Sequence, residues 1–486
     1  MKSFDWTKPQ RQPLAGLTIV FINVIWEVLK RVWPFAILML LQNKPGKVDR
    51  YEIIALIVVV FTITGAVLKF FFFRFYIEEN KMIIKSGWLK KTTKVIPLEK
   101  IQTVNIEQGP VHQVMSIVKL TIDTAGSQKA EASIDALHKP MAEALRHQLL
   151  SDRKVSTESE PEKQEPIKPL VQLSGKDLLK LSISANHLET LLILLSFVVG
   201  LYENFREIST PLFTEVEDVL PTQTIYPILF LIIAVSIITI VVSTARIFFT
   251  FYDFKITRNT SGLQIRSGLL NVKERLISSD KIQFVSWKAN WIRKRLKLWM
   301  LEYHIAGGDE MQKKSKVHLP VTRSEFIPLL SKEYFELPVI TNEIPIRIHP
   351  SFFWRRLLIA GLLPSLIIIP LLWLAWEEFS LLFLIYTVFI GIISWQTQRK
   401  FRLWALHEAA YISKGWLGEE RILLQWYKMQ FIEITQSMFQ RKRGLASVRI
   451  HTAGGSINIS FISVEAAQQV RDYALYKTEA SSKSWM

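Results

Sequence analysis

Apolar positions along this chain alternate between two regimes, three times over. In the first regime they are nearly continuous, over 14–31 with 32–41, 53–73, 188–202, 225–249, 357–376 and 379–395. Runs of roughly 20 residues match a hydrocarbon core of about 30 Å. These segments therefore predict six membrane crossings arranged as three hairpins. Asn23, Glu27, Lys30 and Arg31 recur along one helical stripe. The stretch 14–31 is accordingly either an interfacial helix or the first half of a crossing whose charges snorkel. Pro364 and Pro370 are expected to kink the fifth crossing.

In the second regime the hydrophobic period shortens toward two. After residue 73, short β-rich runs are split by turn signals such as Glu79-Asn80 and end in an apolar helical stripe of Leu137, Met141, Ala144, Leu145 and Leu149. Short antiparallel strands closed by one helix predict a small curved sheet or open barrel plugged by that helix. The boundaries read as 14–73 for the interfacial helix and first hairpin, and 74–150 for the first β-domain. A Glu/Lys/Ser/Pro-rich linker at 151–169 is expected to be disordered. The second hairpin then covers 170–249 with its β-domain at 250–335, and the third covers 344–398 with its β-domain at 399–477.

The β-domains carry a repeated ruler. Gly87-Trp88-Leu89, Lys100-Ile101-Gln102 and Ala125-Gly126 return as Gly268-Leu269-Leu270, Lys281-Ile282-Gln283 and Ala306-Gly307. They return again as Gly415-Trp416-Leu417, Lys428-Met429-Gln430 and Ala453-Gly454. Each copy keeps 15 positions from glycine to glutamine and 23 from glutamine to alanine. Spacing held this closely argues for one domain used three times. The first glycine of each copy suits a turn needing positive φ or a close backbone approach. Each glutamine suits an amide tie to a neighbouring loop, or a hydrogen bond to a headgroup or partner.

Charge narrows the partners. The chain of 486 residues has net charge +17, an isoelectric point near 9.7, mean hydropathy +0.20 and no cysteine. Disulfides, thiol nucleophiles and thiolate zinc sites are excluded. With apolar spans present, the anionic partner expected is a phospholipid bilayer rather than nucleic acid. Two basic clusters fall at matching offsets: Arg293, Lys294 and Arg295 with Lys297, and Arg441, Lys442 and Arg443. Aromatic residues Trp287, Trp291, Trp299 and Phe439 flank them. These clusters are candidate contacts for anionic lipid or a partner, each Lys or Arg near an anionic leaflet contributing roughly 1 kcal/mol; as solvated loops they would serve topology alone. Arg74, Arg246, Arg355, Arg356, Arg399, Lys400 and Arg402 sit beside the β-domains, whereas the second and third intervening loops are acidic. This bias places the N-terminus and the β-domains in the cytoplasm, although Lys44, Lys47 and Arg50 in the first loop run against it. No removable signal peptide is read at the start of the chain.

The transmembrane pair feeding a domain with G-[WL]-L, K-[IM]-Q and T-A-G-G elements resembles the bacterial PH-like family typified by the YdbT membrane proteins. The third copy is nearest the pattern, with Gln436-Ser437, Arg443-Gly444-Leu445 and Thr452-Ala453-Gly454-Gly455; the first has Gln108-Gly109-Pro110, and the second lacks a glycine matching Gly444. The resemblance implies a seven-stranded PH-like barrel with a C-terminal helix in each copy, and a membrane α + β fold overall. It implies no known enzymatic activity or cofactor, and a companion membrane protein with one such domain; self-association is a further partner expectation. His304 and His451 occupy equivalent strand positions, with Asp123 in the first copy, but no HxxxH or HExxH spacing, GxSxG or Walker loop is present. The function expected is a non-enzymatic scaffold or accessory factor in envelope maintenance. The alternatives are a transporter or export component using the spans, and an enzyme acting on lipid.

Overall fold

A computed structural model describes residues 4–26, 30, 50–124, 132–151, 169–185, 187–204, 226–259, 262–306, 316–321, 326–332, 334, 344–376 and 383–482. The expectations for 32–41, for most of the 151–169 linker, for the acidic loops, and for Gly126 and Gly307 fall outside these residues. The chain divides into two compact units, one of 1–170 with 253–278 and one of 171–252 with 279–486.

Six strands recur in each copy. The first copy has β1 (Arg74–Glu78), β2 (Lys81–Ser86), β3 (Thr92–Pro97), β4 (Ile101–Gln108), β5 (Ile117–Thr124) and β6 (Ala132–His138). The second has β7 (Lys255–Asn259), β8 (Gly262–Ser267), β9 (Val272–Ile277), β10 (Ile282–Ala289), β11 (Trp299–Ile305) and β12 (Lys316–Val321). The third has β13 (Arg402–Ala405), β14 (Ala409–Lys414), β15 (Glu419–Gln425), β16 (Met429–Thr435), β17 (Leu445–Thr452) and β18 (Gly455–Ser463).

In the first unit β1-β2-β3 form one sheet, and a second runs β6-β5-β4-β9-β8-β7. In the second unit one sheet runs β12-β11-β10-β15-β14-β13 and another is β16-β17-β18. The alternation of buried and half-buried residues along β5 is the period-two signature of a strand with one core face. The first copy's core joins Phe75, Met82 and Ile96 to Val104, Leu120 and Ile134, and is closed by Ala142, Leu145 and Leu149 of the helix Lys139–Ser151. The third copy repeats this with Leu403, Ile412 and Leu424 against Val448, Ile450 and Ile459, under Ala467, Val470 and Ala474 of the helix Val464–Glu479.

The sheets also take in residues upstream of the apolar helices. Gln10 and Phe75 exchange backbone hydrogen bonds at 2.8 and 3.1 Å, and Ile346 and Leu403 do so at 2.8 and 3.0 Å. Leu170 N–H donates to the Ile256 carbonyl at 2.8 Å. Phe75, Ile256 and Leu403 hold the same place in their copies, so each group of apolar helices departs from and returns to one sheet edge.

The expected six crossings in three hairpins, each feeding a separate closed barrel, are corrected on two counts. Among the described residues only Ile233–Phe251 and Ser351–Trp373 are long and apolar enough to cross a membrane. Gly16–Trp26 and Val59–Phe71 are shorter apolar helices. Helix Phe383–Lys400 spends its last residues on Gln396, Gln398, Arg399 and Lys400, so among the described residues its apolar run falls short of the roughly 20 residues a crossing needs. The sheets, moreover, are open. They run on from one copy into the next, because a strand edge left with unpaired backbone groups finds them in its neighbour.

Helix Ser351–Arg356 passes through a π turn at Leu357–Leu362 into Leu363–Trp376, which contains Pro370. It packs on Phe383–Lys400 where Gly361 faces Thr387, a Cβ on that glycine meeting the threonine methyl at 3.3 Å. Ser365 and Thr387 share a hydrogen bond of 2.5 Å there. Small residues with paired hydroxyls are how apolar helices associate where water offers no drive.

Candidate functional site: the basic cleft and the seams between copies

The repeated residues shape the backbone at fixed places in each copy. Gly87, Gly268 and Gly415 adopt φ of +98°, +112° and +141°, a region open to glycine and strained for other residues. The strand pairings shift register between Ile101 and Thr103, between Ile282 and Phe284, and between Met429 and Phe431. Gln102, Gln283 and Gln430 are thus the extra residue of a β-bulge in each copy. Gln283 is fully buried and Gln430 exposed, so the shared feature is backbone geometry rather than a common side-chain partner. Gly454 is a close-approach site: a Cβ there would lie 3.0 Å from that of Gln283 and 3.1 Å from the His304 carbonyl.

Short helices join the fourth strand of each copy to the fifth: Pro110–Val114, Trp291–Arg295 and Met438–Arg441. The two basic clusters lie at the second and third. Asn290 caps the second by accepting from Arg293 N–H at 2.7 Å, and Ser437 with Gln440 forms a capping box on the third. Each turn is closed by a residue in the left-handed region: Ser116 (φ 52°), Lys297 (φ 56°) and Gly444 (φ 62°). The second copy, lacking the glycine, bends through Lys297 instead.

The structure therefore separates the candidate lipid contacts. Arg293 is half-buried, its Nε donating to Ser184 Oγ at 3.4 Å. Burial pushes its guanidinium below the usual arginine range, with Glu302 opposing. Lys294 makes a 2.7 Å ion pair with Glu419. Arg295 is exposed, as are Arg441, Lys442 and Arg443, which lie at a different sheet edge beside exposed Met438 and Phe439.

Lys294 also lines a cleft of 510 Å³ with Trp395, Arg399, Lys400, Arg402, Lys414 and Glu419. The helix Phe383–Lys400 delivers Trp395, Arg399 and Lys400, and β14 delivers Lys414. Arg399 stacks over the Trp395 ring at 5.2 Å, and Lys400 donates to the Trp416 carbonyl at 2.7 Å. Arg402 donates to the Arg399 and Phe401 carbonyls at 2.8 and 2.6 Å, and burial lowers its pKa, with Arg347 adding to the shift. Five cations face one carboxylate, and that carboxylate is engaged by Lys294 and Arg421. The net positive field of the cleft suits a phosphate-bearing ligand. Sequence spacing did not signal this grouping, since Lys294, Arg399 and Lys414 come from separate elements.

A second polar group lies on the same sheet. Glu302 on β11 is buried and takes Lys288 at 2.5 Å and His318 at 2.9 Å. Burial alone would raise its pKa, but hydrogen bonds from His318 and Lys288 hold it at about 2. Ser286 Oγ lies 3.0 Å from His304 Nε2. His304 stacks on Phe284 at 3.8 Å and His451 on Phe431 at 4.0 Å; the matched histidines thus share a packing role. In the first copy Asp123 accepts from Thr103 and Asn105, both at 2.9 Å.

Comparison with known proteins accords with this geometry. The bacterial PH domain model matches residues 17–153, 198–335 and 357–478. The transmembrane protein YdbT of Bacillus subtilis is 24% identical over 466 residues, covering 91% of this chain and 92% of that protein. Three matched stretches that take up most of the chain, with apolar helices inside each repeat, mean that it belongs to the bacterial PH domain family as a membrane-associated member.

Proposed function

We propose that the chain is a non-enzymatic scaffold of the bacterial cytoplasmic membrane, holding its PH-like sheets against the cytoplasmic leaflet and docking anionic headgroups in the basic cleft. The observation that carries this reading is the placement of the cleft at the foot of an apolar helix pair. Arg399 and Lys400 end one helix. Arg355 and Arg356 lie in the other, over the rings of Phe461 and Phe352 at 5.2 and 5.8 Å. Cations at the sheet-side ends of apolar helices favour the cytoplasmic side. Trp395 and Trp416 beside them suit the headgroup level.

The test uses the purified full chain in detergent with short-chain phosphatidylglycerol or phosphatidylcholine, read by native mass spectrometry. Preferential retention of phosphatidylglycerol, reduced at least fivefold by Arg399→Ala with Lys414→Ala, is the expected outcome. Equal retention of both lipids, or no effect of the substitutions, would overturn it.

A further inference from the structure

From the register of the seams we infer that the chain assembles head to tail with further copies of itself, β16 of one molecule pairing antiparallel with β3 of the next. This surface is separate from the basic cleft.

Two seams already exist within the chain, and they use one register. At the first, β4 meets β9 with Gln108 opposite Val272, Glu107 opposite Lys273 and Ile106 opposite Glu274. At the second, β10 meets β15 with Ala289 opposite Glu419, Lys288 opposite Glu420 and Trp287 opposite Arg421. Counted from the repeated glycine and glutamine, these are the same three pairs. The middle pair joins opposite charges both times, with the signs exchanged. In each case the fourth strand of one copy receives the third strand of the following copy.

The series leaves two strands over. β16 is the fourth strand of the last copy and β3 the third strand of the first, and each is the terminal strand of its sheet. Their exposure differs from that of their counterparts. β10 is buried along nearly its whole length, whereas six of the seven residues of β16, Gln430 to Thr435, are exposed or half-buried, with none buried before Gln440 in the following turn. Thr92, Thr93, Lys94 and Val95 of β3 are all exposed, whereas β9 and β15 are half-buried or buried throughout. Paired edges are covered and these two are not, which is the condition for adding a strand.

Carrying the common register forward places Thr435 opposite Thr92, Ile434 opposite Thr93, Glu433 opposite Lys94 and Ile432 opposite Val95. A threonine pair, an opposite-charge pair and a β-branched pair are all favourable cross-strand neighbours. The connecting helix supplies a matching tie. In the first seam Gln113 donates to the Leu269 and Leu270 carbonyls at 2.9 and 3.1 Å. In the second, Lys294 at the equivalent position pairs with Glu419. The third equivalent is Arg441, exposed, and the turn it would meet is Trp88-Leu89, where Leu89 is 86% exposed. Such a contact joins unlike surfaces, so it closes into a ring or propagates as an open array.

The chain contains no cysteine, which makes cross-linking selective. Full-length Glu433→Cys and Lys94→Cys variants, carrying different tags, are co-expressed and oxidised in isolated membranes. A disulfide-linked pair carrying both tags is expected, with at least a fivefold weaker band when Thr92→Cys replaces Lys94→Cys. Equal bands from both partners would mean random collision and would overturn the proposal, as would absence of a cross-link. A Glu433→Cys/Lys94→Cys double variant that cross-links only within one chain, or cross-linking of Glu433→Cys to another protein alone, would overturn it too. Substitutions at these exposed positions leave the cores untouched, and the mass of the untreated protein in detergent gives an independent reading: a monomer at all concentrations contradicts assembly.

Discussion

Lys294 Nζ lies 2.7 Å from Glu419 Oε2, and this ion pair joins the second copy of the repeat to the third. Gln113 makes the corresponding tie between the first copy and the second with neutral hydrogen bonds to two carbonyls. One position in the repeat therefore fastens consecutive copies by whichever chemistry the residue there allows. Because Lys294 is 60% exposed, its pairing is partly screened by water. Lys294→Ala is expected to cost about 0.5–1 kcal/mol, measured as a lower denaturation midpoint in detergent.

Glu419 gives that seam a pH dependence. Burial raises its pKa, but hydrogen bonds from Lys294 and Arg421 outweigh burial and hold it below the ordinary carboxylate value. A depressed pKa stabilises the fold above the unfolded value and loses that contribution as pH falls through the folded one. Denaturation curves measured below pH 4.5, the ordinary value, should lose less stability in Lys294→Ala than in the parent protein.

Glu302 should show the larger acid effect. Its pKa of about 2 against an ordinary 4.5 means a contribution present above 4.5 and lost progressively down to about 2. Glu302→Gln is expected to flatten this acid limb and to cost roughly 2 kcal/mol at neutral pH. That is less than the 3–5 kcal/mol for breaking a fully buried pair, because Lys288 and His318 are half-exposed and recover water.

Lys297 occupies a left-handed turn that Gly444 fills in the third copy. The left-handed region costs a residue with a Cβ about 1 kcal/mol or more. Lys297→Gly is expected to raise the melting temperature, and a fall would show that the lysine side chain contributes more than its backbone loses.

Gly454 admits no side chain without movement of Gln283 or the His304 backbone. Gly454→Ala is expected to destabilise by about 1–3 kcal/mol as overpacking. Gly65, with open space around its Cα, is the control: Gly65→Ala in that apolar helix should be neutral or stabilising.

The local parts of this fold were legible from the residues themselves. The Glu79-Asn80 turn, the period-two runs and the spacing between Gly87 and Gln102 each report short-range constraints, and the runs and the spacing recur two more times. That the three glutamines mark bulges was signalled only by their fixed place after a lysine, and no residue type announces a bulge. The number of crossings was overread, because apolar runs were counted as crossings even where they are short, such as 188–202 and 379–395, against the roughly 20 residues a crossing needs.

What the chain by itself determined is therefore the repeat: strand lengths, turn residues and the face each strand buries, all set by side chains and their neighbours in sequence. What only the tertiary structure decided is which strands meet. Pairing of β4 with β9 and of β10 with β15, and the return of the segments at Gln10 and Ile346 to Phe75 and Leu403, rest on backbone N–H and C=O groups. Every residue but proline carries both, so the sequence holds no local mark of the partner. The cleft follows for the same reason, since Lys294 and Arg399 become neighbours only once the seam between copies has formed.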